Sequence, residues 1–361
     1  MAETNTTENN TYIRKLLQFV CDKKSSDLHL ISGVAPSIRI DGSLIELYHE
    51  GALTPDKINA LLKSILTPEQ LERLYVNKEI DFSLSFSDQA RFRVNAYTQQ
   101  GSLSAAFRRI PMDISSIEEL GLPQILHSFT DLRQGLILVT GPTGHGKSTT
   151  LASMLEEINV NRAVHIVTIE DPIEFIFKPK KALVSQREMN NDTHSWSIAL
   201  RSVLREDPDV VLVGEMRDYE TIAAALTVAE TGHLVFATLH TNSASQSIDR
   251  IVDVFPEEQQ TQIKLQLSNV LEAVFSQRLI PAIGGGRVVA YETMLATTAI
   301  KTAVREGKTH QIDSIIQTST EQRMNTLDNS LAILVRNGKV DMDTAQSWSL
   351  RPEELRRFVG R

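Results

Sequence analysis

The stretch Leu136-Ile137-Leu138-Val139-Thr140-Gly141-Pro142-Thr143-Gly144-His145-Gly146-Lys147-Ser148 decides the fold of this chain. From Gly141 to Ser148 it fits the phosphate-binding loop pattern at every fixed position. Glycines let backbone N–H groups turn inward around phosphates, Lys147 reaches the β/γ-phosphates and the Ser148 hydroxyl ligates Mg²⁺. Leu136–Val139 is a short apolar run that reads as a buried strand, and Ser148–Ile158 has the composition and apolar spacing of a helix. Strand, loop and helix in this order aim a helix N-terminus at a phosphate. The motif therefore predicts binding of ATP or GTP with Mg²⁺, through Gly141, Pro142, Thr143, Gly144, His145, Gly146, Lys147, Ser148 and Thr149.

Working outward, the strand–helix rhythm continues. Val164–Ile169, Val210–Val213 and Leu234–Thr238 read as further strands, with helices at Ser148–Ile158, Trp196–Arg205 and Tyr219–Glu230. Such alternation predicts an α/β fold, a parallel sheet covered by helices on both faces. After Pro256 the chain reads as mostly helical, broken by one strand near Arg287–Glu292 and ending in helices at Thr297–Glu306, Thr309–Thr318, Thr326–Arg336 and Pro352–Val359.

The N-terminal part reads differently. Residues 1–10 look disordered by composition and Tyr12–Asp22 reads as a short helix. A strand at Ser26–Ile31 and a hairpin turned at Asp41-Gly42 follow, then helices at Pro55–Ile65 and Pro68–Val76 and strands at Asp81–Phe86, Arg91–Tyr97 and Leu103–Arg108. This is a small α+β domain, residues 1–111, with a linker through Met112–Ser116 into a second domain, residues 112–361.

Composition narrows the class. The 361 residues are 41% hydrophobic and 23% charged, ordinary for a globular protein. A formal charge of −8 with no basic tract argues against a nucleic-acid partner. The single cysteine, Cys21, excludes an internal disulfide and a cysteine-based zinc ribbon. No apolar run approaches membrane-spanning length, and the polar N-terminus lacks the layout of a signal peptide. The expectation is a cytoplasmic protein without direct membrane insertion.

In an open parallel sheet, ligands bind beyond the carboxyl ends of the strands. There the sequence places the phosphate loop, Glu170-Asp171-Pro172-Ile173-Glu174, Gly214-Glu215-Met216-Arg217-Asp218 and Leu239-His240-Thr241-Asn242. Glu215, just past an apolar strand, occupies the position of the acid that holds Mg²⁺ directly or through water. Glu170, Asp171 and Glu174 are all candidates for activating water, and spacing does not choose among them. His240 is placed to sense the terminal phosphate or bridge it to the acids. In the small domain, Arg91, Arg93 and Asn95 share one strand face, opposite Phe92, Val94 and Ala96. With Arg108 and Arg109 from the next strand they predict a cationic patch, a source of arginine fingers for a nucleotide on a neighbouring subunit.

Taken together, these segments resemble the secretion ATPase superfamily of type II secretion and type IV pilus motors, and within it the pilus retraction ATPases. The resemblance runs from Ser26-Asp27-Leu28-His29-Leu30 to the C-terminal helices. It rests on the phosphate loop, Thr168–Phe175, Leu204–Asp209, Val213–Asp218 and Thr231–Asn242. It implies a homohexameric ring, a PAS-like N-terminal domain and a RecA-like core, with ATP between the two domains of a subunit. It assigns Glu174 as general base, Glu215 as the Mg²⁺-associated acid and His240 as the His-box residue, with Arg217 in the same catalytic set. Arg93 and Arg108 become the arginine fingers, with Arg91 next in line. Partners would be an inner-membrane platform protein of the pilus machine, a sister retraction or extension ATPase, and no nucleic acid. Localisation would be peripheral at the inner membrane.

Extension and type II secretion ATPases usually carry a four-cysteine zinc insertion and extra N-terminal domains, so one cysteine and a short N-terminus favour retraction. Two departures stand out. His145 replaces a small hydroxyl residue and predicts added pH sensitivity. Ala299–Glu306 differs from the family's usual segment, which the resemblance links to retraction rather than hydrolysis. The other readings are an ATPase of another secretion or conjugation system, and a nucleotide-binding regulator that scarcely hydrolyses.

Overall fold

Four parallel strands, ending at Thr140, Glu170, Val213 and Leu239, carry the catalytic-type motifs to one edge of a sheet, as the computed structural model of the chain shows. The structure describes residues 2–40, 43–86, 90–111 and 113–360. It divides into two compact units, Met1–Asp113 and Ile114–Arg361. The hairpin turn read at Asp41-Gly42 and the linker residue Met112 lie outside the described residues.

The first unit holds a six-stranded antiparallel sheet. Its strands are β1 (Asp27–Leu30), β2 (Ser37–Ile40), β3 (Ser43–Glu46), β4 (Glu79–Phe86), β5 (Ala90–Gln99) and β6 (Ser102–Pro111), in the order β3-β2-β1-β6-β5-β4. Strict alternation in β5 buries Phe92, Val94 and Ala96 and leaves Arg91, Arg93 and Asn95 on the other face. The buried face meets Ile13, Leu16, Leu17 and Val20 of one helix and Ile58, Leu61 and Leu62 of another. The first of these helices is Ala2–Asp22, which corrects the expectation of disorder through residue 10. Polar composition misled because the asparagines are structural. Asn9 is buried and accepts a hydrogen bond from Lys57 Nζ at 2.8 Å, and Asn10 donates to the Ser64 carbonyl at 2.8 Å.

The second unit is built on a seven-stranded sheet ordered β13-β12-β7-β11-β10-β8-β9. Its strands are β7 (Gly135–Thr140), β8 (His165–Glu170), β9 (Leu183–Glu188), β10 (Val210–Val213), β11 (Leu234–Leu239), β12 (Leu271–Pro281) and β13 (Arg287–Leu295). All pairs are parallel except β12 with β13. The apolar runs of β7, β10 and β11 are buried at every position, as covering on both faces demands. Alternate residues serve different layers. Leu136, Leu138, Val211 and Val213 pack with the helices around Leu226 and Ile251, whereas Ile137, Val139, Leu212 and Phe236 pack with Leu126, Leu151 and Leu155. The expectation of a single strand after Pro256 is corrected: β12 and β13 form an antiparallel hairpin, and β12 also pairs with β7. Beyond it, Ile280 and Ala290 pack against Leu327, Leu331 and Leu355 of the C-terminal helices.

Candidate functional site

The helix Lys147–Asn161 begins without a side-chain cap; its N-cap is Gly146, in the left-handed region at φ 84° and ψ 15°. Helices starting after Thr54, Thr67, Ser195, Asp218, Ser243, Thr297, Thr326 and Asp341 are all capped by those side chains. The difference leaves the first-turn N–H groups of Lys147–Asn161 available to an anion. The loop entrance is as exacting. Gly141 has φ +141°, and a Cβ there would meet the Gln277 carbonyl oxygen at 2.3 Å. Only glycine fits between β7 and β12.

Lys147 is buried, and its Nζ donates to the carbonyls of Gly141 at 2.8 Å and Pro142 at 3.1 Å. Burial pulls its pKa down, and the charges of Glu215 and Glu174 push back up against that. Both acids therefore face the loop lysine. Ser148 and Thr149 follow in the first turn. The Ser148 hydroxyl and the Glu215 carboxylate are hard oxygen donors, a set that suits Mg²⁺.

Three strand ends join through one histidine. His240 Nδ1 lies 3.0 Å from the Thr143 hydroxyl, and its Nε2 lies 3.2 Å from Glu215 Oε1. The ring thus links the phosphate loop after β7 to the acid after β10, from its own place after β11. Arg217 Nη2 holds the second Glu215 oxygen at 2.8 Å. Burial pushes the Glu215 carboxyl up, but the Arg217 hydrogen bond with the charges of His240, Arg217 and Lys147 outweighs it and holds the group below its ordinary value. Glu215 itself is aimed by backbone bonds on either side: Gly214 N–H donates to the Ile169 carbonyl at 2.8 Å and Met216 N–H to the Thr238 carbonyl at 3.1 Å. His233 sits at the far end of β11, bonded to Thr231 and the Val228 carbonyl, away from this edge.

Geometry separates the three acids after β8 that spacing left equivalent. Glu170 is buried and fully engaged, accepting from Thr168 Oγ1 at 2.7 Å, Gln186 Nε2 at 3.3 Å and Glu174 N–H at 3.4 Å. Desolvation raises its pKa to about 7. Glu188 accepts from Ile173 N–H at 3.0 Å. These two carboxylates shape the turn that presents Glu174, which is half-buried. Asp171 contributes charge beside Arg217.

Residues that sequence reasoning missed lie on the unread strand β12 and beyond. Gln277 Nε2 donates to the His145 carbonyl at 2.7 Å, Leu279 N–H donates to His145 Nδ1 at 2.9 Å, and Arg287 donates to the Gly144 carbonyl at 3.3 Å. The run Ala273-Val274-Phe275 was the available signal. His145 therefore turns its ring to β12, and burial, reinforced by Arg278, Arg287 and Lys147, lowers its pKa. This corrects the expected pH sensitivity, because Nδ1 is engaged by the Leu279 N–H and the surroundings disfavour the charged ring.

A family model described as type II/IV secretion system protein matches residues 3–345. The chain belongs to that family. The type IV pilus retraction ATPase PilT of Pseudomonas aeruginosa is 49% identical over 343 residues, covering 95% of this chain and 99% of PilT. A twitching motility protein of Neisseria gonorrhoeae is 44% identical over 326 residues, covering 90% of this chain and 87% of its own. The crystal structure of the pilus retraction motor PilT with bound ADP superposes with a TM-score of 0.90 at 46% identity, covering 96% of this chain and 99% of that one. The secretion-family fold, a parallel-sheet α/β core with helices, is thus established for the chain.

In the first unit, Arg93 and Arg108 stand directly opposite each other on β5 and β6. Arg108 donates to Asp27 Oδ1 at 3.0 Å while its side chain stays 70% exposed, enough to reach outward. Arg91 lies on the same face as Arg93, beside Ile110 in register. Arg109 is corrected out of the patch: it pairs with Phe92 on the opposite face and donates to the Ser25 carbonyl at 3.1 Å. Consecutive strand residues point to opposite sides, so Arg108 and Arg109 cannot share one.

Proposed function

We propose that this chain is a cytoplasmic ATPase that works as a type IV pilus retraction motor, assembled as a homohexameric ring and acting at the inner membrane through a platform protein. The observation that carries the reading is the Thr143–His240–Glu215 link, which ties the phosphate loop to the strand-end acid. Identity of 49% to PilT across almost the whole of both chains supports the pilus assignment. Among the described residues no helix is long and apolar enough to cross a membrane.

In this mechanism the loop N–H groups and Lys147 hold the phosphates of ATP, and Lys147 exchanges its carbonyl partners for phosphate oxygens. Ser148 and Glu215 hold Mg²⁺, directly or through water; when bound, the ion neutralises charge developing on the phosphates. Glu174, near enough to Lys147 for their charges to interact, takes the proton of the attacking water. His240 senses the terminal phosphate through Thr143 and reports it to Glu215, whose second oxygen Arg217 fixes. Arg93 and Arg108 of a neighbouring subunit stabilise charge on the phosphoryl group in flight. A sister retraction or extension ATPase is a further partner.

Steady-state hydrolysis measured with mass by light scattering tests the reading. Active hexamers are expected, with Glu174→Gln binding ATP but turning over about 10²–10⁴-fold slower. Lys147→Ala should weaken binding itself. Normal turnover in Glu174→Gln would remove Glu174 from its role, and nucleotide binding without turnover in the wild type would refute the ATPase.

A further inference from the structure

Lys147 Nζ braces the start of the phosphate loop at the Gly141 and Pro142 carbonyls, whereas the crest Gly144–Gly146 carries a single side chain, that of His145. Gly144 and Gly146 flank His145 at φ +79° and +84°, and glycine segments lose more freedom on ordering than any other. The crest is held from outside, and His145 is where those restraints converge. Its carbonyl accepts from Gln277 and its Nδ1 from the Leu279 N–H. Its ring meets the indole of Trp348 edge-on, with centroids 5.5 Å apart and planes at 62°. Trp348 closes the helix Met342–Trp348, the last but one of the chain, and its own carbonyl is gripped by Arg278 Nη1 at 2.9 Å. Arg278 lies between Gln277 and Leu279 on β12. A serine or threonine at position 145 has no ring to set against an indole, so this contact belongs to the histidine of this chain.

We propose that His145 and Trp348 form a latch by which the C-terminal helices hold the phosphate loop in its binding shape and register nucleotide there. Both are positioning residues: neither needs to touch the nucleotide, because they act through the backbone of Gly144–Gly146. The inference rests on the proposed nucleotide site. It adds that occupancy of the loop changes the surroundings of Trp348, at the end of a helix outside the sheet.

The chain has two tryptophans, Trp196 and Trp348. Protein labelled with 5-fluorotryptophan therefore gives two ¹⁹F resonances, assigned by Trp348→Phe, and ADP affinity is measured separately by calorimetry. In the wild type, saturating ADP is expected to shift the Trp348 resonance. His145→Ala should weaken ADP binding roughly tenfold, the loss of one partly buried hydrogen bond and an aromatic contact, and should leave the Trp348 resonance unmoved at saturation. It should raise KM for ATP and change kcat little. His145→Asn, which keeps an acceptor at the Nδ1 position, should recover most of the affinity but not the shift. ADP binding with the Trp348 resonance unmoved in the wild type, or with unchanged affinity in His145→Ala, would overturn the latch. Failure to bind ADP at all would instead overturn the nucleotide site beneath it.

Discussion

At the scale of the residue, His145 illustrates what a motif conceals. The sequence places an imidazole inside a phosphate loop, from which pH sensitivity follows if the ring faces the ligand. In the folded chain Nδ1 is occupied by the Leu279 N–H, and burial with the nearby Arg278, Arg287 and Lys147 holds the pKa below 6.5. Protonation would destroy an acceptor and place a cation beside three others. The hydrolysis rate between pH 6 and 8 should therefore show no ionisation that His145→Asn removes; a pH–rate profile of both proteins checks this. Stability has the opposite sensitivity. A histidine whose folded pKa is depressed costs nothing above its unfolded pKa and destabilises as pH falls below about 6.5, so His145→Asn should lose less stability than wild type on going from pH 7 to pH 5. The roles of Glu170 and Glu174 were equally hidden: three acids around a proline are interchangeable in sequence. Only hydrogen bonding from Thr168 and Gln186 distinguishes the acid that shapes the turn from the one it presents.

Between elements, legibility followed burial pattern. The strands β7, β10 and β11 are continuous apolar runs and could be read with nearly correct ends, because a strand covered on both faces has no polar position to spare. Edge strand β9, Leu-Val-Ser-Gln-Arg-Glu, has no such pattern and was missed. Strand β12 was missed for another reason. It carries Glu272, Ser276, Gln277 and Arg278 among its apolar residues, and those polar groups serve the adjoining strand, the loop and the helices that hold Lys301 and Trp348. Ser276 bonds the Thr140 hydroxyl at 2.7 Å, and Gln277 bonds the His145 carbonyl. The passage of the loop over β12 makes a prediction about glycine that sequence cannot rank. A Cβ at Gly141 collides with the Gln277 carbonyl at 2.3 Å, whereas a Cβ at Gly144 meets nothing within 4 Å. Gly144→Ala should carry only the backbone cost of a positive φ, about 1–2 kcal/mol. Gly141→Ala must part β7 from β12 and should weaken nucleotide binding far more than Gly144→Ala. Calorimetric titration of both variants with ADP, beside thermal melts, would show it; equal affinities would contradict the packing.

Across the whole molecule, the two sheets follow from two rhythms in the sequence, alternating strands before Pro111 and strand–helix repeats after Leu136. What no rhythm reveals is the cost of burying charge where layers meet. Glu292 on β13 accepts the Ala244 N–H at 2.7 Å, pinning the helix Ala244–Asp253 that follows His240. Its surroundings include Asp313, Arg351 and Asp328, and desolvation, the largest influence, raises its pKa to about 7. Glu170 is raised to about 7 for the same reason. For an acid whose folded pKa lies above its unfolded value of 4.5, both states hold the proton at low pH and the group contributes no penalty. As pH rises from 4.5 towards 7 the unfolded chain releases the proton and the folded chain keeps it, so stability falls; above 7 the penalty is complete. Glutamine at position 292 keeps the acceptor for Ala244 and has no charge to desolvate. Glu292→Gln should therefore melt close to wild type near pH 4.5 and above it at pH 8, by an amount on the order of 3 kcal/mol. Melting curves of both proteins from pH 4.5 to 8 decide the matter, and a variant less stable than wild type at pH 8 would mean that the charged carboxylate, favoured by the nearby Arg351 charge, is the form the fold prefers.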